Sequence, residues 1–313
     1  MYYNKRNMMF DAKPLVSICC LAYNHEPYIR ECLDGMLMQR TTFKFEILIH
    51  DDASTDNTAK IIKEYAEKYP TIIKPILQTE NQYSKGKGIL APFVYPKAKG
   101  KYIALCEGDD YWIDPYKLQK QVDFLENNKE FSYCVHRYLS FDVEKEKYDD
   151  SVYPISSSNY LCSEKKYVVI TKKIFHEKWL VKTLSVVFRK EAYELIKNDL
   201  KNYKYSRDIH LFYFLLNYGD AVCLDMVSGV YNKHLNGVFS KKSHIEKNTK
   251  AYLIYKELYI KSSDPYFLYP LLANALFLLF RGRFSEMKDL FSFLRINDYC
   301  KLISVFIHKV LNN

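Results

Sequence analysis

Glu107, Asp109 and Asp110 put three carboxylates into the four-residue stretch Glu-Gly-Asp-Asp. Acids this close repel one another unless a cation sits among them, and hard cations that bind phosphates take oxygen ligands of this kind. A solvated acidic turn is the bland alternative. The residues in front weigh against it. Tyr102 to Cys106 is a short apolar run bounded by Gly100 and Gly108, which reads as a buried strand of an α/β sheet. Carboxylates at its C-terminal end lie where open α/β sheets place their ligands. The aromatic pair Tyr111-Trp112 follows directly.

Other residues of a chemical type are less decisive alone. The loop Asn81 to Gly88 interleaves Lys85 and Lys87 with glycines; such a loop can approach a phosphate, but its spacing is not that of a P-loop. Asp208, in Ser206-Arg207-Asp208, opens a helical pattern and reads by itself as an N-cap. His234 follows a strand-like run, and a lone histidine is ordinarily structural.

The elements that would carry these groups alternate. Leu15 to Leu21 reads as a strand that breaks at Tyr23-Asn24-His25-Glu26. Ile29, Cys32, Leu33, Met36 and Leu37 then fall on one helical face, with Asn24 or His25 as the cap. Phe45 to Ile49 is a second strand, running into His50-Asp51-Asp52-Ala53-Ser54-Thr55-Asp56. A helix with Ile61, Ile62, Tyr65 and Ala66 stops near Pro70, and a third strand lies around Ile72 to Leu77. Strand-helix-strand-helix-strand predicts a parallel sheet of βαβ units. Asp114-Pro115 starts the helix after the acidic turn. Phe131 to Arg137, Thr183 to Arg189 and Ala221 to Tyr231 read as further strands. Residues 138 to 178 read as a surface excursion, and from about 244 the pattern is helical.

Composition bounds the partners. The 313 residues are 48% hydrophobic and 27% charged, a globular balance. The net charge of +9 favours polyanionic partners such as nucleotide diphosphates or anionic lipid surfaces. No zinc-finger or RNP motif is present, so nucleic acid is not expected. The eight cysteines form no C-x-x-C pair, a reduced cytosolic pattern. Pro270 to Phe280 is nearly all apolar but too short to span a membrane. It reads as a core helix, a subunit contact in a homodimer, or, with Arg281, Arg283 and Lys288 beside it, an element lying on an anionic membrane.

Leu15 to Asn24, His50 to Thr58, and Glu107 to Asp110 with Trp112 and Pro115 together resemble the family 2 glycosyltransferases of the GT-A fold. The likeness covers residues 14 to 130, returns more weakly at 183–189 and 206–240, and stops there. It implies an α/β domain over residues 10–240, a Rossmann-like mixed sheet flanked by helices, with a helical C-terminal region at 241–313. It implies metal-dependent, inverting transfer of a sugar from a nucleotide-diphosphate donor, UDP-linked, to a saccharide or lipid-linked saccharide acceptor. The setting implied is surface polysaccharide, lipopolysaccharide or capsule synthesis, in the cytoplasm or on the inner face of the cell membrane.

By family pattern Tyr23, Asn24 and Glu26 line the nucleoside pocket and Asp52 reads the uracil ring. Lys87 and Glu107 serve the donor. Asp109 and Asp110, with His234, serve Mn²⁺ or Mg²⁺, and Asp208 is the catalytic base. This chain departs from the pattern at several places. Glu107 stands where Asp is usual, Ala53 where Gly is common, and Lys85 or Lys87 where an Arg is usual. Two other readings of the same sheet are a nucleotidyltransferase and a non-catalytic sugar- or nucleotide-binding protein. The loop Ala22 to Glu26 lacks the Gly-rich, basic character the first would want. The acids at 107, 109 and 208 weigh against the second.

Overall fold

A computed structural model describes residues 13–86, 88–154, 166–177, 180–205, 207–235, 237, 242–295 and 298. Apolar β-branched and cysteine-rich runs form the centre of its sheet. β1 (Val16–Ala22) lies between β2 (Phe45–Asp51) and β4 (Tyr102–Glu107), parallel to both, and β3 (Ile73–Leu77) is added parallel to the outer side of β2. These central strands are buried on both faces, which is why they read as continuous apolar runs rather than alternating ones. Helices α1 (Ile29–Leu37), α2 (Thr58–Lys68) and α3 (Lys117–Asn127) bury Ile29, Cys32, Leu33, Met36, Ile61, Ile62, Leu118, Val122 and Leu125 into this core.

The sheet turns mixed beyond β4. β9 (Val187–Arg189) is antiparallel to both β4 and β6 (Tyr133–Asp142), and β10 (Ala221–Lys233) runs parallel to β6. β5 (Tyr111–Trp112) pairs antiparallel with β10. The order is β3-β2-β1-β4-β9-β6-β10-β5, with β7 (Lys147–Tyr148) on β6 and β8 (Tyr167–Ile170) on β10.

Several expectations change. Neither Asn24 nor His25 caps α1; Tyr28 occupies that position, without a side-chain cap bond. Helix α3 begins at Lys117 rather than at Pro115, and the Asp114 carboxylate accepts from the Tyr116 amide. Thr183 to Arg189 is not one strand. Ser185 turns back on Lys182, donating its Oγ–H and N–H to that carbonyl, so a 3₁₀ turn precedes β9. The stretch 138–178 is not a structureless excursion: it carries the end of β6, β7, β8 and α4 (Lys172–Glu177).

The chain divides into two compact units. The first comprises residues 1–172, 179–197 and 211–233, and holds the sheet. The second comprises residues 173–178, 198–210 and 234–313. Among the described residues three helices have residues in both units, α4, α5 (Lys190–Lys201) and α6 (Asp208–Leu215). The second unit is otherwise built on α7 (His244–Ser262), α8 (Leu268–Leu279) and α9 (Ser285–Phe293). Ser243 and Glu246 form a reciprocal capping box at the start of α7. Leu268, Leu271, Ala275 and Leu278 of α8 are buried, so the apolar run at 270–280 packs one face inside its own unit. Among the described residues no helix is long and apolar enough to cross a membrane.

Candidate active site

Parallel pairing fixes where the chemistry lies. Leu21 is opposite Glu107 and Ala22 is opposite Asp51 in the sheet register. The loops after β1, β2 and β4 therefore leave the sheet at one edge, the carboxyl edge that α/β sheets use for ligands.

The first two loops are joined to each other. Asn24 accepts the Thr55 N–H on its side-chain oxygen at 2.8 Å, and its own N–H donates to Ser54 Oγ at 2.9 Å. The His25 N–H donates to Thr58 Oγ1 at 2.8 Å, and the Glu26 N–H to Asp56 at 3.1 Å. Glu26 in return accepts from the Asn57 N–H and side chain at 3.0 and 2.6 Å, which lowers its pKa. The Asn24 side chain, expected to cap a helix, is thus spent on the neighbouring loop. Both Asn24 and Ala53 sit in the left-handed region, at φ 55° and 61°. Asn tolerates that conformation; alanine does so at a cost.

Asp52 is buried. Its carboxylate accepts the N–H groups of Gln82 and Tyr83, at 2.8 and 3.0 Å. It therefore anchors the loop after β3, whatever else it meets. Beside it, Asp51 holds the Ser54 hydroxyl and amide. Tyr23 projects from the first loop as an exposed ring. Lys85 is paired with Glu80, and Lys87 lies outside the described residues.

The acidic turn follows β4 directly. Glu107, Asp109 and Asp110 each present a ligand atom within 4.8 Å of the others. Gly108 makes the turn possible, since a Cβ there would lie 2.9 Å from His25 Nδ1 and 3.0 Å from Ile29 Cδ1. His25 Nε2 is 3.6 Å from Asp109 Oδ2. Asp110 is almost wholly buried; one oxygen accepts the Asn232 N–H at 3.0 Å, and the other has no hydrogen-bond partner among the described residues. The Asn232 side chain also donates to the Asp109 carbonyl at 2.7 Å. Burial, then the charge of Asp109, pushes the Asp110 carboxyl well above its ordinary pKa. An orphaned buried carboxylate oxygen next to further acids fits a bound cation, which would favour the ionised form.

The structure thus gathers Tyr23, Asn24, Glu26, Asp52, Glu107, Asp109 and Asp110 in the first unit. Asp208 and His234 belong to the second unit. Asp208 is the first residue of α6, exposed, and accepts the Ile209 N–H; His234 is buried just after β10. Sequence reasoning missed Asn232 and Lys182. The ammonium of Lys182 sits 3.4 Å from the centre of the Tyr231 ring. The one signal for it was a charge inside the otherwise apolar run Leu180 to Phe188.

Comparison with known proteins gives this site a family. The model of glycosyl transferase family 2 matches residues 17–194, more than half of the chain. The chain belongs to glycosyl transferase family 2. It is 38% identical over 229 residues to the uncharacterized protein Rv1520 of Mycobacterium tuberculosis, an alignment covering 72% of this chain and 60% of that protein's length. It is 32% identical over 200 residues to the Escherichia coli UDP-Glc:alpha-D-GlcNAc-diphosphoundecaprenol beta-1,3-glucosyltransferase WfaP, covering 63% of this chain and 74% of WfaP.

Two solved structures share the fold. Staphylococcus aureus TarS 1-349 in complex with UDP-GlcNAc superposes with a TM-score of 0.57 at 17% identity, over 93% of this chain and 79% of that one. The Pyrobaculum calidifontis mannosyltransferase PcManGT in complex with GDP-Man and Mn²⁺ gives 0.54 at 16%, over 97% and 89%. The GT-A architecture expected from the sequence is therefore the one observed.

Proposed function

We propose that this chain transfers a sugar from a nucleotide-diphosphate donor, UDP-linked, to a saccharide acceptor with inversion at the anomeric carbon. The observation that carries the reading is the convergence of the acidic turn 107–110 and the joined loops 23–26 and 51–57 on one sheet edge. Family membership supports it, as do relatives and neighbours whose names state UDP-Glc, UDP-GlcNAc, GDP-Man and Mn²⁺.

In this reading Tyr23 stacks on the base, and Asn24 and Glu26 shape the nucleoside pocket. Asp52 supports the loop that closes it and accepts the imide N–H of uracil. Glu107 and Lys87 meet the donor. Asp109 and Asp110, with His234, hold Mn²⁺ or Mg²⁺. When bound, that ion supplies positive charge to the leaving diphosphate. Asp208 takes the proton from the acceptor hydroxyl.

The acceptor is a lipid-linked saccharide of a surface polysaccharide. Support comes from WfaP, whose name gives a diphosphoundecaprenol-linked acceptor. It also comes from the helical unit, where Phe280, Phe284 and Phe291 stand exposed beside Arg281, Arg283 and Lys288. Such a surface suits the anionic inner face of a cell membrane.

Titration of UDP and GDP with and without Mn²⁺ by calorimetry, followed by transfer assays with UDP- and GDP-sugars, tests the function. Metal-dependent UDP binding and sugar transfer are expected. Binding without any transfer or hydrolysis of a donor sugar would favour the non-catalytic reading instead.

A further inference from the structure

Three carboxylates crowd the turn at 107–110, and a donor's diphosphate brings further negative charge to the same place. One divalent cation leaves that assembly strongly anionic, so charge balance calls for a second, fixed cation. The loop after β3 supplies none among its described residues, because Lys85 is exposed and already paired with Glu80. The cation that feels the charge of Asp110 and Glu107 comes from another segment, at residue 182.

Lys182 is half-buried at the start of the 3₁₀ turn Thr183–Ser185. Two bonds from Ser185 to the Lys182 carbonyl fix its backbone. The Trp112 indole N–H, donating to the Leu184 carbonyl at 2.8 Å, ties that turn to the strand after the acids. Its ammonium lies 3.4 Å from the Tyr231 ring centre, within a cluster in which Tyr231 packs edge-on against Tyr138 and Tyr138 stacks on Tyr153. The residue after Tyr231 is Asn232, which holds both Asp109 and Asp110. Among the described residues this ammonium makes no hydrogen bond or ion pair. Burial by itself would lower its pKa; the fields of Tyr231, Asp110 and Glu107 outweigh that and keep it charged.

We propose that Lys182 is the phosphate-binding cation of the donor site, held over Tyr231, next in sequence to the asparagine that binds Asp109 and Asp110, to meet the diphosphate of the nucleotide sugar. The proposal rests on the donor-site reading above and adds a residue to it. A lysine on an aromatic face is oriented yet loses little by exchanging that contact for a charged hydrogen bond, which is the stronger of the two.

The test compares wild type, Lys182→Met and Lys182→Arg. Met keeps the apolar stem on Tyr231 and removes the charge. Calorimetry with Mn²⁺ present measures affinity for whichever of UDP and GDP the wild type binds, and for the matching nucleoside. Thermal melting without ligand reports the fold. Loss of one charged hydrogen bond predicts a roughly 10- to 100-fold weaker nucleotide diphosphate in Lys182→Met. Nucleoside affinity and melting should be unchanged, and Lys182→Arg should recover part of the loss. An equal loss for diphosphate and nucleoside, or a lowered melting temperature with diphosphate affinity intact, makes Lys182 a structural counter-ion and overturns the proposal alone. Wild type that binds neither nucleotide overturns the donor-site reading and the proposal together.

Discussion

Asp110 accepts the backbone N–H of Asn232 on one carboxylate oxygen at 3.0 Å and holds the other, buried, without a partner among the described residues. A side chain so placed has a fixed position and an unused lone-pair acceptor, which is what a preformed cation ligand needs. Its neighbour Asp109 is half-buried, and its backbone carbonyl is fixed by the same asparagine. Asp109→Asn is therefore expected to abolish sugar transfer and the Mn²⁺ dependence of nucleotide binding while leaving the fold intact. Transfer rate, calorimetry with and without chelator, and melting temperature check it. Near wild-type transfer would remove Asp109 from the metal site.

Asp208 begins a helix, where the dipole favours its ionised form. The role proposed for it, general base, contributes to transfer and not to donor binding. Asp208→Asn should slow transfer by about 10²-fold or more and leave nucleotide affinity unchanged. Both are measured on the same variant. A large loss of nucleotide affinity would move the residue out of the acceptor side.

Ala53 carries a left-handed backbone at φ 61°. Replacing it by glycine removes the Cβ clash and adds unfolded-state entropy. The first effect is the larger, so Ala53→Gly should stabilise the protein by up to about 1 kcal/mol. Asn24→Gly is the contrasting variant. It has a similar φ of 55°, but its side-chain oxygen accepts the Thr55 N–H, so glycine should destabilise. Urea denaturation of the two variants reads both signs. Destabilisation by Ala53→Gly would show that the Ala53 methyl packs better than its backbone suffers.

Lys117 is fully buried, with its Nζ 3.8 Å from the Trp112 ring centre and no hydrogen-bond partner among the described residues. Burial takes its pKa from 10.5 down to about 7. Between those values the unfolded chain binds a proton that the folded one does not, so stability rises with pH across that window. Below it both states are charged and the burial penalty is present in full. Lys117→Met should raise stability at neutral pH and flatten that rise. Denaturation midpoints at pH of about 7 and about 9.5 decide it; identical slopes in the two proteins would mean Lys117 finds a charge partner when protonated.

The centre of the sheet was legible because β1, β2 and β4 are buried on both faces and so appear as unbroken apolar runs. The acidic turn was legible because three ligating side chains are local in sequence. β5 was not: it has two residues and exists only by pairing with β10. Asn232 reaches the turn from more than 70 residues away in sequence, and Lys182 meets the Tyr231 ring beside that asparagine from a separate segment; nothing local marks such meetings. The caps failed for a related reason. Asn24 looks like a helix starter, yet its side-chain bond runs to the next loop. Asp52 shows the same limit: the family resemblance suggested a base reader, and only the fold reveals that the Gln82 and Tyr83 amides already hold it.

Those inter-loop bonds bear on attempts to change which donor the enzyme accepts. Asn24 with Thr55 and Glu26 with Asn57 interlock the loops after β1 and β2. A graft that imports only one loop from another family member would bring half of each pair, leave amides without acceptors, and disturb the loop that was kept. The portable cassette is the two segments together, residues 23–28 with 51–58, and a library that varies them jointly searches the combinations the scaffold can hold.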